Sequence, residues 1–174
     1  MITKLDIAFR QLKTAILLRS RGADPVSICT LAGAAAGIAH DVCKARDIKS
    51  FRQLAVEAHP NHRPNEIWGE FTRIPNSYKH ANKDTESMFP LPTDDEVEML
   101  LYEAAHDIQL VMTFLDPVIP LYVLWFRAAR PDLFSVLEVE EAKKEFHDLS
   151  VLSKNAQLKL LDVKLDSCLK KHSA

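Results

Sequence analysis

Apolar residues recur every three or four positions along most of this chain, separated by short polar breaks, and that spacing predicts helices. Leu5, Ala8, Phe9, Leu12, Ala15, Ile16 and Leu17 share one face of a first helix over residues 3–19. Thr3 with Asp6 forms a capping box at its start, and Gly22 marks its end. Asp24 and Pro25 open a second helix over residues 25–43, with Ile28, Leu31, Ala35, Ile38 and Val42 as its apolar stripe. Gly33, Ala34, Ala35, Ala36, Gly37 and Ala39 leave it almost without bulk, so neighbouring helices can approach its backbone closely. It is expected at the centre of the fold. Gly33 and Gly37, each costing about 1 kcal/mol against alanine in a helix interior, are expected at helix–helix contacts.

Ser50 starts a short helix over residues 51–58, which Pro60 terminates. Ile67, Trp68 and Phe71 anchor a helical pattern over residues 65–73, and Pro75 is expected to break or kink it. Residues 82–92 read as an extended crossover. Thr93 with Glu96 is a second capping box, and behind it Val97, Leu100, Leu101, Ala104, Ala105, Ile108, Val111, Met112 and Leu115 mark the clearest amphipathic helix. Asp116 and Pro117 restart the chain. Residues 121–129, with Trp125 and Phe126, predict a mostly buried helix, residues 138–149 a charged, exposed one, and residues 155–170 an amphipathic one. No stretch has the alternation or β-branched density of a strand, and no repeat of fixed period appears. The expected fold is all-α: one helical-bundle domain over residues 1–174, up-and-down-like, around the small-residue helix.

Composition narrows the partners rather than the fold. Apolar content of 47% with 26% charged residues is that of a globular chain, and a net charge of −2 argues against a broad nucleic-acid or membrane-surface coat. Charge is nevertheless uneven. Lys44, Arg46, Lys49, Arg52, Arg63, Arg73, Lys79 and Lys83 precede an acidic stretch of Asp94, Asp95, Glu96, Glu98, Glu103 and Asp107 that holds no lysine or arginine. Either the two stretches are solvated faces that complement each other, or the first is an anion-binding face. Cys29, Cys43 and Cys168 are an odd set without a CxxC pair, which suits buried thiols in a reducing cytoplasm. Asp6 and Arg10 interrupt the first apolar run, and residues 118–126 are too few to span a bilayer. The expectation is a cytoplasmic protein without a membrane partner.

Four glycines, none arranged as a dinucleotide fingerprint, P-loop or nucleophile elbow, exclude those chemistries. Glu103 and His106 have the Glu-x-x-His spacing of a di-iron bundle, but no second copy exists, so a helix-surface pair is expected. His59 and His62 flank a turn and could both face a metal, with His106 or Asp107 completing the set; turn residues without a metal are expected. No cofactor is indicated. Residues 73–80 (Arg-Ile-Pro-Asn-Ser-Tyr-Lys-His) carry more chemistry. At positions i, i+3 and i+7, Arg73, Asn76 and His80 share a helical face, with Lys79 beside them. Arginine offers phosphate a planar donor fork, and histidine moves protons near neutral pH. Those groups can cleave RNA without a metal: a base takes the 2′-hydroxyl proton, cations stabilise the phosphorane, and an acid protonates the leaving oxygen.

An all-α bundle in which Arg73 and His80 are separated by six residues resembles the HEPN superfamily, whose Arg-x(4–6)-His motif marks metal-independent ribonucleases and related toxins. Asn-Ser-Tyr-Lys-His-Ala, with Thr-Leu-Ala-Gly-Ala-Ala upstream, also resembles uncharacterised small helical proteins of bacteria. The resemblance implies that Arg73 binds phosphate, that His80 acts as general acid/base, that Asn76 supports them, and that two copies form a homodimer around the site. Ile74 stands where the family usually has a polar residue. RNA cleavage or a toxin-type role is one expectation. The alternative is a non-catalytic homodimeric bundle that binds a partner or a ligand.

Overall fold

Thr3 caps the first helix as its pattern predicts: its Oγ1 accepts from Asp6 N–H at 3.0 Å, and its own N–H donates to Asp6 Oδ2 at 2.8 Å. The computed structural model describes residues 1–78, 86, 88–113 and 116–172, with His172 by its backbone alone. Among these residues the fold is all-helical. The order is α1 (Lys4–Ser20), α2 (Pro25–Ala45), α3 (Phe51–Ala58), α4 (Pro64–Ser77), α5 (Asp94–Val111), α6 (Val118–Ala129), a single 3₁₀ turn (Pro131–Leu133), α7 (Val136–Phe146) and α8 (Lys154–His172). Gly22, at φ 65°, adopts the left-handed conformation just past the end of α1. Asp24 then caps α2 by accepting from Ser27 N–H at 2.8 Å, and Thr93 and Glu96 cap α5 reciprocally.

The small-residue helix α2 packs against α1, α4 and α5. Ile28, Cys29, Ala32, Gly33, Ala35, Ala36, Ala39, His40 and Cys43 are its buried residues. By length and composition α2 could cross a membrane, and half of its most apolar window is buried within the bundle. The core runs on without a break through Leu12 and Ile16 of α1, Leu101 and Ile108 of α5, Tyr122, Trp125 and Phe126 of α6, and Leu161 and Leu165 of α8.

Three expectations change. Gly33 makes the close contact anticipated for it, since a Cβ there would stand 2.4 Å from Pro75 Cβ, but a Cβ on Gly37 would meet nothing within 4 Å. Pro75 does not break α4. The helix continues through it to Ser77, because the notch at Gly33 receives the proline ring and buries Ile74 and Pro75 against α2. In this way burial offsets the hydrogen bond that proline cannot donate. Pro120 likewise sits inside the first turn of α6, where an N–H would lack a helical partner anyway. Finally, α7 is charged on one side only: Val139, Ala142 and Phe146, with Leu149 beyond it, are buried, and the helix packs on α6. Leu115, expected on the α5 stripe, lies outside the described residues.

Candidate functional site

Short helix α3 lies on α4 and α5 through one apolar side, and the three do not close completely. Between them is a cleft of about 470 Å³. Its floor is apolar: Phe51 and Ala55 from α3, Phe71, Ile74 and Pro75 from α4, and Met99 and Leu100 from α5. Its mouth is charged, with His59 at the end of α3, Glu70 and Arg73 on α4, Asp95 and Glu96 in the first turn of α5, and Arg130 just past α6.

The mouth is wired by ion pairs. Arg73 Nη2 contacts Glu96 Oε1 at 2.6 Å, and Arg73 Nε lies 4.0 Å from Glu70 Oε2. Arg130 bridges Asp95 at 3.0 Å and Asp132 at 3.3 Å. Glu96 also accepts from the Thr93 backbone N–H at 2.8 Å. That bond, reinforced by Arg73, holds its carboxyl below the usual range. His59 closes one side, with Nδ1 at 2.8 Å from the Ala55 carbonyl.

Behind the floor lies a buried polar cluster that fastens α3 to α5 and α2. Arg52 Nε donates to Glu103 Oε1 at 2.5 Å, with both side chains almost without solvent contact. The Phe51 N–H, at the positive end of α3, donates to Asp107 Oδ1 at 2.7 Å. The same oxygen pairs with His106 Nδ1 at 3.0 Å, and His40 Nδ1 meets Ser50 Oγ at 2.7 Å. Burial lowers the pKa of His40, as does nearby Arg52, and its ring packs edge-to-face with Trp68. Burial raises the carboxyl of Glu103 to about 7 despite the opposing pull of Arg52. Glu103 Oε2 and Asp107 Oδ2 are buried without a hydrogen-bond partner. Phe51 therefore joins the two layers: its backbone is held by the cluster, and its ring forms cleft floor beside Phe71, 5.8 Å away.

The residues singled out by sequence separate into groups. Arg73 is at the cleft mouth with its side chain 54% exposed, and its guanidinium is engaged by Glu96. Asn76 is exposed on the same helix, which runs unbroken between them. Lys79 and His80 lie outside the described residues. Glu103 is not on a helix surface beside His106: it is buried and paired with Arg52, because that face of α5 packs under α3. The rings of His59 and His62 stand 6.1 Å apart and exposed. Among the described residues, no three His, Cys, Asp or Glu side chains are grouped to hold a metal.

Two pairs cross-link the basic and acidic stretches, Arg52 to Glu103 and Arg73 to Glu96, while Asp94, Asp95 and Glu98 pair with Arg19, Arg130 and Lys154 from elsewhere in the chain. The pair of Arg52 and Glu103 is buried rather than solvated. Sequence reasoning passed over Met99 and Arg130 as site residues, and named Asp107 only as a possible metal ligand beside His59 and His62. The available signals were slight: Met99 falls off the main apolar stripe of α5, and Asp107 follows Glu103 by one helical turn. Compared with known families, curated proteins and solved structures, the chain matches none.

Proposed function

We propose that the protein is a ligand-binding helical bundle whose seat is the cleft between α3, α4 and α5. One observation carries the reading. An apolar floor of about 470 Å³, ringed by charged side chains, falls within the usual size and makeup of small-molecule sites. The floor supplies burial for an apolar body, and the mouth fixes its orientation. The interior offers two aromatic rings and the thioether of Met99, surfaces that accommodate varied shapes.

The test is titration with an environment-sensitive apolar fluorophore, first on the native protein and then on Ala55→Trp. Ala55 is a partly exposed cleft-lining position, so an indole there fills the cleft while removing no contact. Saturable binding to the native protein, weakened at least tenfold in the filled variant at an unchanged melting temperature, is the expected result. Equal binding by both proteins would refute the reading.

A second reading is metal-independent RNA cleavage in the manner of HEPN-like proteins, with Arg73 and His80 as the working groups, Asn76 and Lys79 on the substrate, and two copies assembling the site. The unbroken course of α4 through Pro75, which keeps Arg73 and Asn76 one turn apart, favours it. The engagement of Arg73 by Glu96 weighs against it, since phosphate would have to compete with a carboxylate held by its own capping box. In this reading cleavage of mixed RNAs survives EDTA, and His80→Ala reduces it by about 10²–10⁴-fold. Cleavage that requires a divalent ion, or that His80→Ala retains in full, would refute it.

A further inference from the structure

The charge pattern at the mouth says what kind of polar group belongs there. Three carboxylates line the cleft, those of Glu70, Asp95 and Glu96, against the two guanidiniums of Arg73 and Arg130. Neither guanidinium is uncommitted. Arg73 already lies between Glu96 and Glu70, and Arg130 between Asp95 and Asp132. An incoming carboxylate would therefore meet guanidiniums already shared with acidic side chains, one of which, Glu96, is pinned by its bonds to Thr93. An incoming cation meets the opposite situation. Glu70 and Asp95 have largely exposed side chains, and neither shares its arginine alone. Phe51 and Phe71 line the same cleft and offer apolar surface to the rest of the ligand.

We infer that the cleft takes an amphipathic cation, an aromatic or aliphatic body bearing an ammonium head that rests at Glu70 and Asp95. This inference rests on the ligand-binding reading above and specifies its chemistry. The apolar body lies on Ile74, Met99 and the two phenylalanine rings, and the head stays at the rim, where desolvation is partial.

A matched series separates the two claims. Phenylbutylamine, phenylbutanol and phenylbutyrate share one body and differ only in the charge of the head at pH 7. Each is titrated against the native protein by calorimetry at low salt, below any concentration at which it aggregates. The expected order is amine, alcohol, carboxylate, with the amine at least tenfold tighter than the carboxylate. The Glu70→Gln, Asp95→Asn double variant is expected to reduce that ratio at least threefold, with its melting curve serving as the check on folding. Added salt should narrow the ratio as well, because the head sits at an exposed rim. Alcohol binding without preference for the amine, or tighter binding of the carboxylate, would overturn the charge assignment and leave the ligand-binding reading standing. Failure of all three compounds to bind, the neutral alcohol included, would overturn both.

Discussion

Replacing Glu103 by glutamine should make the protein more stable at pH 8, although it dismantles a buried ion pair. Two effects compete at this site. Removing one partner of a buried pair ordinarily costs about 3–5 kcal/mol, because the other charge is left without compensation. Against that stands the cost of keeping the Glu103 carboxylate away from water. Burial raises its pKa from 4.5 to about 7 with Arg52 already in place, so desolvation exceeds the attraction of the guanidinium. A shift of that size corresponds to roughly 3 kcal/mol of penalty on the charged form.

The groups around Glu103 make the loss of its charge tolerable. Two charged groups act on Glu103: Arg52 from α3, its ion-pair partner, and Asp107 one turn along α5. Asp107 keeps its bonds to the Phe51 N–H and to His106 after the substitution, so α3 stays fastened to α5. The sign with pH follows from linkage. The native state binds a proton at Glu103 more tightly than the unfolded chain does, so this group's contribution is fully present below pH 4.5 and is lost as pH rises through about 7.

Urea unfolding of the native protein and Glu103→Gln at several pH values reads the difference directly, and other titrating groups cancel between the two. The advantage of the glutamine variant should be near zero at pH 4.5 and approach roughly 3 kcal/mol at pH 8, several degrees in melting temperature. Arg52→Met should show the converse, a destabilisation that grows from pH 5 to pH 8, because burial unopposed by Arg52 raises the Glu103 carboxyl further above its unfolded value. A glutamine variant less stable than the native protein by about 3 kcal/mol at pH 8 would show that the ion pair dominates burial, and would refute the reasoning.

Two glycines of α2 should respond in opposite directions. Gly33→Ala places a Cβ 2.4 Å from Pro75 Cβ, a ring on a rigid helix, and should cost about 1–3 kcal/mol in chemical denaturation. Gly37→Ala meets open space and should gain up to about 1 kcal/mol from helix propensity; equal effects at the two sites would refute the assigned α2–α4 contact. The thiols of Cys29 and Cys43, both pushed up to about 11 by burial, should label slowly with a thiol reagent at pH 8 in the native state and fast in denaturant. Rapid native labelling of Cys29 would contradict its place in the core.

Helix starts were legible because they are local. Thr3 with Asp6, Asp24 with Pro25, and Thr93 with Glu96 place a cap and its partner within three residues, and each forms as written. The all-helical class followed from spacing, which samples a period of a few residues. The course of α4 did not follow from spacing. A proline alone reads as a break, and the notch at Gly33 that receives the ring of Pro75 lies forty-two positions earlier in the chain. Burial of Glu103 was equally hidden: on α5 it reads as a surface acid until Arg52 and Phe51 of α3 cover it. The cleft is the clearest case. It is the space three helices leave between them, set by how α3 docks on α4 and α5, and no residue pattern within any one helix encodes a gap among three.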